Sequence, residues 1–437
     1  MTNEERKIQY MNRNIKLSPP LIALTWDVIF IWTISTLYFT QVKGLANSQV
    51  VMLDSILMLF GCILCVPVGK LFQNVKPIKA IRIGLCGYAA YILLCVFGNS
   101  YPIFILAQFF LAFGYAIMAI KSNSVLTDSL AVVKRDKDYQ RIYGKGISLL
   151  YIIECVGAIF ITYVFNWNPN VAFLLSLVVV IIAISLTLFF KDPEKFQDKN
   201  IEINSHVEDN SKEEKAKKPD SYFKILKSGF LITLLIYAFL MRGALSITGS
   251  GFKIYLNWLM GENLIPVWSY GYIYAGSRIA AALSSKYQFK FNLKFGVRSL
   301  IIFNLAIILT FTISGLLFVF NPTSIPFIVI IILLSYIQCS IRMPNQIFLN
   351  NYVQVCSSKK NVERIYSIRT MVEYLGYAAI SAIYAGLIDN FGYGFTSLIY
   401  IGILVIPIVV SLTLFIKMLC KKYAEKYTVI KPEYTED

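Results

Sequence analysis

Histidine is nearly missing from this 437-residue chain: His206 is the only one, and it lies in a long polar stretch. Metal-dependent hydrolysis and His-centred nucleophilic catalysis need histidines grouped with acids or a nucleophile, so neither is expected, and no metal or cofactor is implied. No glycine-rich phosphate loop occurs, which argues against a primary ATP-driven pump. Charge is sparse at 15% of residues and lopsided, with 41 Lys and Arg against 25 Asp and Glu. None of the eight cysteines falls in a segment expected outside the membrane on the oxidising side, so disulfides are not implied. Cys62 and Cys65 form a C-x-x-C, but beside Pro67 in an apolar run and without a second pair, which reads as helix packing.

What the chain has in abundance is apolar sequence, 57% hydrophobic residues with a mean hydropathy of +0.62. It falls into twelve stretches: 20–41, 49–71, 80–97, 102–131, 143–166 and 171–190, then 229–252, 265–284, 299–319, 325–352, 365–387 and 393–419. Runs of roughly 20 apolar residues satisfy their backbone in lipid only as helices, so the fold class is an all-α membrane protein with twelve transmembrane helices. The first nineteen residues are polar and basic, unlike a cleaved signal, and the first apolar run is expected to stay as a span.

All but six of the 41 basic residues fall in the two termini and every second gap. The exceptions are Lys43 and Lys253 in the alternate gaps, and Lys121, Arg242, Arg278 and Arg342 inside apolar stretches. By the positive-inside rule both termini and the even gaps are cytoplasmic in a plasma-membrane protein. The net charge of +16 then belongs to a face turned toward anionic lipid, and no nucleic-acid partner is needed. Trp167, Trp258 and Trp268 stand at expected outer ends, as an interfacial aromatic belt requires.

Four segments follow. Residues 1–190 form an N-terminal six-helix bundle, 191–228 a solvated cytoplasmic linker with a short surface helix at 221–227, 229–420 a C-terminal six-helix bundle and 421–437 a cytoplasmic tail. His206 falls in the linker and is read as inert. The halves are alike: an offset of 223 residues lays Arg141-Ile142-Tyr143 on Arg364-Ile365-Tyr366, Phe104 on Phe327, Leu126 on Leu349 and Tyr151 on Tyr374. An internal repeat of this kind is how many secondary transporters are built.

With twelve helices, a central charged loop and related halves, the chain resembles the major facilitator superfamily over nearly its whole length. The loop after the second stretch carries the resemblance further. It reads Gly69-Lys70-Leu71-Phe72-Gln73-Asn74-Val75-Lys76, which matches the family's glycine, leucine and basic residues, with Gln73 in place of the acid. The resemblance implies two pseudo-symmetric six-helix bundles that work by alternating access, usually as a monomer. It also implies gating roles for Gly69, Lys76 and Asp128, the last of which also reads as an exposed carboxylate at a membrane boundary; Arg278, an ionisable group inside the eighth stretch, is the further gating candidate. The region of Asp128 resembles drug-efflux-like bacterial members, whereas the fifth stretch has Gly146 and Gly157 but not the proline that proton-driven antiporters often carry.

Ionisable groups inside a bilayer are costly and default to function. Stretches one, four, seven and ten each carry one at similar depth, Asp27, Lys121, Arg242 and Arg342, and in the family these four helices line the central cavity. Glu154 is placed to pair with Lys121, and Arg369 and Glu373 are four apart on one helix face. Cations outnumber acids, and arginine offers a planar fork to carboxylate or phosphate, so Arg242, Arg342 and Lys121, with Asn123, Asn345 and Gln346, are the candidate substrate-binding residues. Asp27, Glu154 and Glu373 are the candidate proton-coupling residues. Asp54 reads as interfacial.

The expected function is secondary active transport of a small organic anion or zwitterion, with protons and membrane lipids as further partners and no enzymatic activity. The alternative is a proton-driven multidrug or toxic-compound exporter. A membrane enzyme and a channel or receptor on the same scaffold are the other classes.

Overall fold

The computed structural model describes residues 3–72, 75–135, 138–191, 228–356 and 362–427. The linker with His206 and its expected short helix, and Gln73, lie outside the described residues. Among the described residues the regular structure is helical, with no strand. In chain order the helices are Asn3–Thr25, Ile31–Leu37 with a π-turn at Tyr38–Val42, Asn47–Leu71, Pro77–Phe97, Tyr101–Val132, Tyr139–Trp167 and Pro169–Thr187. Gly229–Gly261, Val267–Phe295, Arg298–Phe320, Ile325–Cys356 and Val362–Tyr427 follow.

Local sequence accounts for several boundaries. Spans three, four and six begin with a proline in the first turn, where the missing N–H costs nothing. The Asn168 side chain caps span six by accepting from Asn170 N and Val171 N at 3.0 and 3.2 Å. In the fifth span Ile152, Val156, Phe160 and Tyr163 point outward while Leu150, Ala158, Ile161 and Phe165 are buried. An apolar stripe at helical spacing on the outside of the fold is a lipid-facing surface.

Three departures from the sequence reading have clear causes. The first span is not one helix over 20–41: a helix runs from Asn3 through the polar tail to Thr25 and then breaks over Trp26 to Phe30. At the break Asp27 Oδ1 takes the Val28 N–H at 2.7 Å, competing with the helical carbonyl, and Phe30 sits at φ 77°, a left-handed value uncommon for an aromatic residue. The Thr25 carbonyl accepts from Tyr88 OH at 3.2 Å. Second, the seventh helix continues to Gly261, so Lys253 lies in the helix, only 3% exposed, and not in a loop.

Third, spans eleven and twelve join without a loop in Val362–Tyr427. The rings of Tyr384 and Tyr400 are 5.3 Å apart, whereas sixteen residues of straight helix would separate them by ~24 Å, so the chain doubles back between them. Gly392, at φ 65°, lies in that interval, where a left-handed residue costs glycine least.

The chain divides into two compact units. The first comprises residues 1–35 and 63–217. Its core includes Ile15, Ile22, Leu126, Leu130 and Ile142 from spans one, four and five, and Val68, Phe72, Ala80 and Ile117 from spans two, three and four. Asn14 staples it: Nδ2 donates to Ser129 Oγ at 3.2 Å and Lys191 O at 2.7 Å, and Oδ1 accepts from Lys191 N at 3.1 Å.

The second unit comprises residues 36–62 and 218–437. It therefore includes the far ends of spans one and two, which join it through Ser55 Oγ to Ser381 Oγ at 2.7 Å and Asn257 Nδ2 to Thr40 Oγ1 at 3.2 Å. Spans seven and eleven approach closely: a Cβ on Gly243 would lie 2.8 Å from the Gly376 carbonyl oxygen, and one on Gly376 would strike the Phe239 backbone. Small residues at such a crossing let helices gain van der Waals contact in lipid, where hydrophobic drive is absent.

Candidate functional site

Five of the residues singled out from sequence meet in one place. Arg242 of span seven, Arg342, Asn345 and Gln346 of span ten and Glu373 of span eleven line a small cleft in the second unit together with Ala238, Leu245 and Leu349. Three turns of three helices converge there, and Pro344 in span ten has no N–H to give the preceding turn.

Arg242 and Arg342 lie within electrostatic range of each other, and Arg242 also feels Glu373. The Arg242 guanidinium stands over the Tyr377 ring at 5.9 Å, and its buried Nε has no hydrogen-bond partner. Asn345 is fixed from behind. Tyr237 OH donates to Asn345 Oδ1 at 3.4 Å while accepting from Asn304 Nδ2 at 2.7 Å, which ties spans seven, nine and ten. Glu373 is ion-paired with Arg369, Nε to Oε1 at 3.0 Å, with both side chains buried.

Beyond Arg342 the cationic character continues. Asp54, read from sequence as interfacial, is packed against Ser250, whose Oγ donates to Asp54 Oδ2 at 2.6 Å. Lys253 and Arg342 are its charged neighbours. Cys339, one turn before Arg342, lies within range of Arg278, Arg342 and Lys253 and donates to Thr248 O at 3.6 Å. Arg278 donates to Tyr274 OH and lies over the Tyr274 ring, 4.6 Å from its centroid.

The other candidates belong to the first unit. Asp27 sits at the break in span one, and Oδ1 accepts from Val28 N, from Tyr115 OH at 2.5 Å and from the Trp32 indole, which also donates to Tyr115 OH at 3.0 Å. Lys121 is buried in span four and Glu154 half-buried in span five. Asn123 is helical in backbone, and its side chain lies outside the described residues. Gly69 is half-buried near the end of span two, Lys76 is exposed just before Pro77, and Asp128 is half-buried beside the Asn14-bonded Ser129.

Sequence reasoning passed over Tyr377, Tyr237, Asn304, Trp32 and Tyr115. With 28 tyrosines in the chain, no local signal separates those that position a charge from those that fill space.

A family model described as Major Facilitator Superfamily matches residues 21–381. The chain belongs to the major facilitator superfamily. Its fold agrees: a point mutant of the nucleoside transporter NupG superposes with a TM-score of 0.73 at 14% identity, covering 93% of this chain and 100% of that one. NupG itself gives 0.68 at 13% identity over 95% and 99%. A bacterial homologue of the human lysosomal transporter Spinster, inward-facing and unoccupied, gives 0.59 at 14% over 98% and 99%. No curated protein matches in sequence.

Nine stretches among the described residues are long and apolar enough to cross a membrane, one of which, Ile368–Leu419, holds spans eleven and twelve. The broken first span and the polar eighth complete the twelve helices of the superfamily fold. The chain is thus a multi-pass membrane protein of a transporter family.

Proposed function

We propose that this superfamily member is a secondary active transporter of the plasma membrane that moves a small organic anion or zwitterion by alternating access. Both termini face the cytoplasm, the working unit is a monomer, and protons supply the drive through buried carboxylates, Asp27 first and Glu154 next. The observation that carries the substrate class is the pairing of Arg242 and Arg342 in one cleft, with the Arg242 Nε buried and without a hydrogen-bond partner. A buried donor without an acceptor costs roughly 1–3 kcal/mol or more, which a ligand carboxylate or phosphate recovers. Asn345 and Gln346 supply orientation beside the charge.

A nucleoside is the substrate named for NupG, and it carries no net charge; two guanidiniums in the cleft suit an anionic group better.

The test is a thermal-shift screen of the purified protein against anionic, zwitterionic and cationic small molecules, since a ligand that binds only the folded state raises its melting temperature. Anions or zwitterions are expected to stabilise the protein, and the effect to vanish in Arg242→Ala and Arg342→Ala. Stabilisation by lipophilic cations alone, sensitive to Asp27→Asn or Glu154→Gln, would establish the multidrug exporter instead.

A further inference from the structure

Arg242 and Arg342 come from different spans, line the same cleft and lie within range of mutual repulsion. Two like charges held together away from water are costly unless counter-charge is supplied. The nearby acids are shared: Glu373 acts on Arg242 as well as on Arg369, and Asp54 on Arg342 as well as on Lys253. Glu373 is paired with Arg369 at 3.0 Å, and Asp54 accepts from Ser250 at 2.6 Å with Lys253 as its foremost charged neighbour. On the far side of Arg342, around Cys339, Lys253 and Arg278 add positive charge. This part of the second unit therefore gathers Arg242, Lys253, Arg278, Arg342 and Arg369 about two carboxylates, Asp54 and Glu373.

A single carboxylate answers one guanidinium and leaves the other facing it. We propose that the cleft takes a small organic dianion, with one negative group or one edge of a phosphate on Arg242 and the other on Arg342. This deepens the anion-carrier reading above and rests on it. Arginine binds both carboxylate and phosphate edges through paired N–H donors, so the shared chemistry is two negative charges a few ångströms apart, whether in a short dicarboxylate or a phosphate monoester. The Tyr377 face under Arg242 and the Tyr237-held Asn345 hold the donors in place before the ligand arrives, so little ordering remains to be done on binding.

The experiment is a comparison of dissociation constants for acetate, succinate and methyl phosphate with the purified full-length protein, at a pH well above the second phosphate pKa of about 6. Succinate or methyl phosphate is expected to bind about tenfold or more tighter than acetate. Whichever dianion binds better identifies the chemistry of the second charge. In Arg242→Gln and Arg342→Gln the preference is expected to collapse toward parity, chiefly by weakened dianion binding. Arg242→Lys and Arg342→Lys, which keep the charge but lose the fork, are expected to retain part of it. Ligand-free melting of each variant separates lost binding from lost folding. Acetate binding as tightly as both dianions in the wild type overturns the dianion and leaves the anion carrier standing, as does a preference that survives all four substitutions. No binding by any of the three probes overturns the inference outright, while the broader screen decides the carrier reading independently.

Discussion

Arg369 and Glu373 sit one turn apart in span eleven with Nε and Oε1 3.0 Å from each other, both buried in the unit that holds the cleft. The pair gives Glu373 a positive partner on its own helix face. A carboxylate with its own guanidinium on the same helix face is a standing counter-charge, and the cleft beside it keeps its positive character.

Removing one member of such a pair strands the other. Glu373→Gln is expected to destabilise the protein by about 3–5 kcal/mol, seen as a lower melting temperature in detergent, because Arg369 then lies buried without its acid. The double change Arg369→Met with Glu373→Leu is expected to recover much of that loss. A single variant that melts like the wild type would show that the pair contributes nothing.

At Asp27 the prediction concerns both the break and the proton. Tyr115→Phe deletes one of the donors to Oδ1 and is expected to cost about 1 kcal/mol, with a shift in tryptophan emission from Trp32 beside it. Asp27→Asn is expected to flatten the pH dependence of transport. A pH slope as steep as the wild type's removes Asp27 from the coupling role.

The crossing of spans seven and eleven makes a sharper steric test. Gly376→Ala drives a methyl into the Phe239 backbone and is expected to cost about 1–3 kcal/mol through overpacking. Gly249→Ala, in the same seventh helix, has open space at the new Cβ and is expected to stay within about 0.5 kcal/mol of the wild type. Equal melting temperatures for the two variants would contradict the close crossing.

Asn14 is the corresponding staple of the first unit. Asn14→Ala removes its bonds to Ser129 Oγ and to both backbone groups of Lys191. Faster amide exchange at Lys191 is the expected readout, with a stability loss of about 1–3 kcal/mol. Unchanged exchange there would mean that the end of span six is held by its apolar contacts alone.

The twelve spans were legible because lipid demands runs of apolar helix, and the charge pattern in the gaps is independent of packing. The cleft was legible for the same reason in reverse: Arg242 and Arg342 are conspicuous where charge is expensive. What stayed hidden depends on three-dimensional partners. Lys253 looked like a loop residue because an apolar count ends the seventh span early, although the helix carries a lysine in its interior. Asp54 stood out only by its distance along span two, and its hydrogen bond to Ser250 of span seven depends on a partner far away in the chain. The break after Thr25 left no proline or glycine to announce it; a carboxylate capturing its neighbour's N–H is a local event that hydropathy does not register.

The most direct test of the central claim is exchange across proteoliposomes, with vesicles loaded with the anion that stabilises the protein best and the same labelled anion outside. Saturable exchange that disappears in Arg342→Ala, with normal insertion of the variant, is the predicted result. Undiminished exchange in both Arg342→Ala and Arg242→Ala, or a flux that never saturates, would contradict a carrier whose substrate is held by these two arginines.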